Sequence, residues 1–236
     1  MIRLSPLPNR VDPFGELHAT PARGLLMGNR GGKFHRPDQS LGPRRWASKQ
    51  WIACVCAFKG RHRAVWGEGY TELFFLDEVT ALAAGHRPCF ECRRADAEAF
   101  RTAFADGRPM SAPEMDAILH GERLDGARKR LHEVALESLP DGSMVALENC
   151  AFAVRGDALL QWTDEGYGAP RKRPRGGAAL CVTPLAIVKV LQAGYSPLWA
   201  KFPLLTLVKN KRKSDAGRGA NYTGRCPVKP RLETSS

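Results

Sequence analysis

Acidic side chains are in short supply in this chain: 24 Asp and Glu stand against 36 Lys and Arg, a formal charge of +12 over 236 residues. Such an excess attracts polyanions over a Debye length of about 10 Å, so nucleic acid is the first partner to consider, ahead of an anionic membrane surface or a merely solubilising charge. Long apolar runs are missing as well. No stretch approaches the roughly 18 residues of a membrane span, so no membrane partner is expected. The opening MIRLSPLPNR has neither an apolar core nor a small-residue cleavage site, and the cytoplasm is the expected compartment. A phosphate loop is also lacking, because the glycines of Gly28-Asn29-Arg30-Gly31-Gly32 are not followed by Lys-Ser/Thr at a helix start. In a reducing compartment the seven cysteines argue against a disulfide framework and for metal binding or burial.

Residues 72–94, ELFFLDEVTALAAGHRPCFECRR, carry the most constrained chemistry. Leu73-Phe74-Phe75-Leu76 reads as a buried strand, Asp77 stands at an N-cap, and Val79, Leu82 and Ala83 recur at helical spacing until Gly85. Cys89 and Cys92 then follow in a tight turn. Two thiols separated by two residues form half of a tetrahedral zinc site, at about 2.3 Å per Zn–S bond. Candidates for the other half are Cys54 and Cys56, which share a face if WIACVCAF is a regular strand. Each strand cysteine could equally be a small core hydrophobe.

Residues 1–50 read mostly as loops with short strands. Within them Glu16 and His18 share a face of any local strand, a pairing suited to proton transfer or to a solvated turn. Arg23, Arg30, Arg36, Arg44 and Arg45 add positive charge among glycines and are candidate phosphate contacts. Residues 51–76 read as two neighbouring strands, residues 93–104 as an amphipathic helix, and Ser111 as the start of another helix. The run ERLDGARKRLHE over 122–133 is a basic helix or loop. Two apolar stretches flanking Arg155-Gly156-Asp157 predict a hairpin, beside which Cys150 is packed. Residues 166–177 then form a basic loop whose Arg171, Lys172, Arg173 and Arg175 suit phosphates. Residues 180–197 repeat the grammar of 74–88: a strand, a capped helix, Ala-Gly, a ring, one residue and proline. The last 28 residues read as a basic arm without persistent structure, in which Cys226 has no structural role.

Phe74, Phe75, Ala81-Leu82-Ala83-Ala84-Gly85, Arg87, Pro88, Cys89 and Cys92 together resemble the zinc-binding N-terminal domain of the bacterial Ada DNA-repair proteins, and the related modules attached to some nucleases. Over residues 25–105, Gly28-Asn29-Arg30 through Asp38 resembles the entry strand and loop of those modules. The resemblance implies zinc held by four cysteines, and in the repair proteins one of the first pair accepts a methyl group from a DNA phosphotriester. Cys89 and Cys92 match the second ligand pair; for the first pair this chain offers Cys54-x-Cys56 and His35.

These readings combine into an α+β protein: residues 1–108 as a small mixed sheet with packed helices and a zinc-stapled turn, residues 109–208 as a second α+β region of hairpin plus helix, and residues 209–236 as the arm. The function they imply is a zinc-containing nucleic-acid-binding protein, with DNA and its repair in view. The alternatives are an enzyme on nucleic acid, using Glu16 and His18 or a zinc-activated cysteine, and a metal or redox sensor.

Overall fold

The computed structural model describes residues 6–61 and 64–201; the arm over 209–236 and Cys226 lie outside them. Its class is α+β. The first sheet contains β1 (Arg10–Val11), β2 (Leu17–His18), β3 (Leu26–Arg30), β4 (Trp51–Val55), β5 (Leu73–Phe75) and β6 (Arg87–Pro88), in the order β2-β1-β5-β3-β4-β6. The two strands of residues 51–76 are therefore not adjacent, because β3 lies between them and pairs antiparallel with both. Gly28 makes that position possible: a Cβ there would stand 2.1 Å from the Ile52 carbonyl oxygen and 2.8 Å from the Phe75 ring.

Helix α1 (Glu78–Ala83) follows β5 as its letters predict. The Asp77 carboxylate accepts from the Thr80 amide at 2.9 Å and from the Thr80 hydroxyl at 2.8 Å. At the other end Gly85 adopts φ +87°, which lets the His86 amide reach back to the Ala81 carbonyl at 2.9 Å in a left-handed helix stop. Helices α2 (Arg94–Ala105) and α3 (Ala112–Arg123) come next, the latter opened by a capping box of Ser111 and Glu114.

The second half is a larger sheet than a hairpin and a helix. After the small hairpin β7 (Leu124–Asp125) and β8 (Arg128–Lys129) come β9 (His132–Ala135), β10 (Met144–Leu147), β11 (Cys150–Arg155), β12 (Ala158–Thr163), β13 (Gly166–Lys172) and β14 (Ala178–Cys181), followed by helix α4 (Leu185–Gln192). The sheet order is β13-β12-β11-β10-β14-β9, with antiparallel neighbours throughout. The expected hairpin is β11–β12. The basic run over 122–133 is neither one helix nor one loop: it ends α3, turns at Asp125-Gly126 and enters β9. Residues 166–172 are likewise an edge strand, a place where Pro170 costs little because half of an edge strand's backbone groups have no sheet partner.

Two buried clusters join the halves. Leu76, Val79 and Ala83 pack with Met144, Leu160, Trp162, Tyr167 and Val182, while Leu82 of α1 packs with Phe100, Met115, Leu119, Ile187 and Val190. Each fully buried side chain of this size contributes roughly 1.5–3 kcal/mol. Helix α1 is thus sealed on all sides, and the turn that follows it is delivered from a fixed base.

Candidate metal centre and surrounding surfaces

Strand alternation sorts the first sheet into two faces. Leu26, Ala53, Leu73 and Phe75 point inward to Ala81 of α1 and to Ala84, its C-cap, so Met27, Asn29, Ile52, Cys54 and Phe74 point to the other side. There they line a cavity of about 220 Å³ together with Cys89 and Cys92. Cys54 comes from β4, and β6 runs parallel to β4 with Ala53 opposite Pro88. The thiols of the turn after β6 are therefore set down beside that of Cys54.

The sulfurs of Cys54, Cys89 and Cys92 all lie within 4.8 Å of one another, a group able to hold a metal ion. A tetrahedral zinc spaces its sulfurs about 3.8 Å apart, so the three thiols fit zinc with a small inward movement. The surroundings favour thiolate at Cys89 alone, burial pushing the Cys92 thiol up. The Glu91 amide approaches the Cys89 sulfur at 3.4 Å. The shared proton of Cys54, together with amides of the turn, holds the Cys89 thiol below its ordinary range, whereas the Cys89 sulfur and burial push Cys54 up.

Two arginines clamp the turn from either side. Nε and Nη2 of Arg87 donate to the two carboxylate oxygens of Asp116 at 2.9 and 2.8 Å, both residues being buried. Arg93 donates to Glu78 and to Asp96, each at 2.8 Å. The arginines of RPCFECR are therefore positioning groups between α1, α3 and the thiols. They became legible only once Asp116 and Glu78 were placed in space.

Compared with protein-family models, with curated proteins and with solved structures, the chain matches none.

The other candidate ligands are not brought into the three-thiol group. β4 ends at Val55, so alternation stops before Cys56, whose exposed thiol donates to the Leu25 carbonyl at 3.4 Å. His35 is buried with both ring nitrogens engaged, Nδ1 with the Thr71 hydroxyl at 2.8 Å and Nε2 with the Gly67 carbonyl at 3.1 Å, and it stacks on Trp66. Nor do Glu16 and His18 bond each other. His18 Nε2 pairs with Asp164 at 2.7 Å, a bond between the two halves that raises the imidazole pKa, and Glu16 is exposed with its amide donating to Asp12.

The candidate phosphate contacts divide in two. Arg30 is buried: its guanidinium lies 3.9 Å from the centre of the Trp51 ring and donates to the Gly15 and Arg45 carbonyls, so it faces no solvent phosphate. Arg173 is likewise spent on the Leu136 and Leu139 carbonyls, and Arg45 folds back on the Gly42 carbonyl. Arg23, Arg36, Arg44, Arg171, Lys172 and Arg175 remain exposed. Burial of a guanidinium is a tertiary property that a count of basic letters does not carry. Met27 and Phe74 were missed as cavity residues, although the period of two along β3 and β5 turns both away from the core.

Proposed function

We propose that this is a zinc protein that binds nucleic acid, DNA in the first instance, through an Ada-like module in which Cys54, Cys89 and Cys92 hold the metal. The observation that carries this reading is the three-thiol group delivered by two separate elements and opening onto a cavity. Bound zinc would keep these sulfurs as thiolates and staple β4 to the turn after β6. The nucleic-acid part is supported by the charge of +12 and by the six exposed cations named above. Titration of labelled DNA at about 50 mM and about 200 mM salt tests it: several phosphate contacts predict a loss of affinity of at least about 100-fold between the two. Weak, salt-insensitive binding at both concentrations contradicts it.

A second reading, DNA-repair chemistry, is favoured by the Cys54 thiol, a candidate for the first ligand pair, standing in the three-thiol group and lining the cavity. In it the Cys54 sulfur takes a methyl group from a phosphotriester, forming a thioether and leaving a phosphodiester. Mass spectrometry of the protein after incubation with methylated DNA tests this reading, which predicts one added methyl on Cys54 and none on Cys54→Ser.

A further inference from the structure

The cavity beside the thiols does not end there. A wider cleft of about 600 Å³, lined by Arg10, Arg23, Thr20 and Asn9, shares Cys56, Val65 and Phe74 with it, so the two form one groove. Strand register explains its direction. Arg10 stands opposite Phe74, Phe74 opposite Met27, and Met27 opposite Cys54. Residues directly opposite share a sheet face, so a cation, an aromatic ring, a thioether and a thiol lie in one row across four strands. Three strand spacings make the row on the order of 14 Å long.

The far end of the row has the chemistry of an anion site. The Arg10 guanidinium lies 4.7 Å from the centre of the Phe74 ring, which holds it flat on the sheet. It donates to the Ala22 carbonyl and the Asn9 side chain but pairs with no carboxylate among the described residues. Burial and the neighbouring Arg23 both depress its pKa, and the Asp164 carboxylate offsets this only in part. At the other end, Lys59 and Arg61 approach the Phe58 ring, at 5.1 and 5.5 Å, Arg61 also pairing with Glu91 at 2.8 Å. The groove therefore has guanidinium–aromatic platforms at both ends, and between them apolar Met27, Ile52, Val65 and Phe74 stand beside Asn29, Glu72 and Glu91; the aromatic and apolar part of this lining suits unpaired bases on a phosphate backbone. A duplex keeps its bases stacked inside and would meet only the outer arginines.

We propose that this groove seats a short segment of single-stranded nucleic acid, with a phosphate at Arg10 and Arg23 and the strand running past Phe74 toward the three thiols. The proposal rests on the nucleic-acid reading above and adds where the strand lies and in what form. The test is fluorescence anisotropy of the zinc-loaded full chain with a labelled oligothymidylate of about 12 nucleotides and with its duplex. Wild type is expected to bind the single strand at least about tenfold more tightly than the duplex. Arg10→Gln with Arg23→Gln should weaken strand binding about tenfold or more and reduce the salt slope by about 1.4, two contacts at about 0.7 each. Arg108→Gln with Lys189→Gln, exposed cations outside the groove and outside the candidate phosphate contacts, should leave strand binding within about twofold of wild type. Arg23 is exposed and makes no hydrogen bond or ion pair among the described residues, so Arg23→Gln alone guards against misfolding and should still halve the affinity or more. If the strand binds but is unaffected by the Arg10 and Arg23 changes, or if the duplex binds as tightly, the groove is not the seat even though the protein binds nucleic acid. If neither strand nor duplex binds at low salt, the nucleic-acid reading fails and the proposal with it.

Discussion

The chain builds the same unit twice and uses the two exits differently. In both, a strand leads into a helix that ends on Ala-Gly, and the ring residue's amide reaches back to a carbonyl five residues earlier: His86 to Ala81 at 2.9 Å and Tyr195 to Val190 at 3.2 Å. After the first stop the chain forms β6 and sets down Cys89 and Cys92. After the second it returns to the first unit. Tyr195 donates to Glu78 at 2.7 Å, the Leu198 amide to Glu78 at 2.9 Å, and the Ala200 amide to Asp77 at 2.9 Å. One exit carries the candidate metal centre, and the other ties down the helix that aims it. The starts differ too. Asp77 caps α1 and also accepts from the Tyr167 hydroxyl at 2.8 Å, whereas Pro184 offers no side-chain cap and the Ala186 amide of α4 is met by Glu122 at 2.7 Å.

This contrast predicts unequal costs for matched changes. Asp77→Ala leaves four donors unmet in a buried site and should cost about 3–5 kcal/mol, while Pro184→Ala should cost less than about 1 kcal/mol. Urea midpoints at constant m measure both, and equal shifts would break the comparison. A smaller effect follows from the seam that His18 and Asp164 make between the halves. Burial pushes the Asp12 carboxyl up to about 7, so its folded form favours the proton; this contribution is full below about pH 4 and is lost as pH rises to about 7. His18, raised by Asp164, likewise stabilises below about pH 6.5 and loses that contribution as pH climbs through its folded value. Stability should therefore fall from about pH 4 through about pH 7 and on through the His18 transition, and Asp12→Asn should remove on the order of 4 kcal/mol of that fall. A pH profile of urea unfolding identical in the variant would refute this assignment.

The glycines sharpen the comparison further. Gly85 and Gly194 have φ of +87° and +95°, but only at Gly85 would a Cβ collide, at 2.7 Å from Cδ of the buried Arg123. Gly194→Ala should cost about 1 kcal/mol from backbone strain alone, and Gly85→Ala about 2–3 kcal/mol. Thermal unfolding of the pair reads the difference, and similar midpoints would mean that Arg123 yields.

What could be read from the letters followed the range of the forces involved. The strand, the Asp77 cap, the helix and the glycine stop are set by residues within a few positions of one another, and 73–85 was legible almost residue by residue. The partner of a strand is a non-local choice. Nothing within 51–76 announces that β3 will come between its two strands, and nothing in the Pro- and Gly-rich segment 166–172 announces that a sheet edge will accept it. The site shows the same division. The spacing of Cys89 and Cys92 marked half of it, while the choice between Cys54 and Cys56 turned on β4 ending one residue before Cys56. The buried role of Arg30 depended on Trp51, and that of the half-buried Arg173 on two distant carbonyls.

The central claim is that Cys54, Cys89 and Cys92 hold one zinc ion. Elemental analysis of the purified chain, beside Cys54→Ser, Cys89→Ser, Cys92→Ser, Cys56→Ser and His35→Asn, tests it most directly. The expected result is about one zinc per chain in wild type, kept in Cys56→Ser and His35→Asn and lost in the other three. Wild type without metal, or zinc that survives Cys89→Ser, would contradict it.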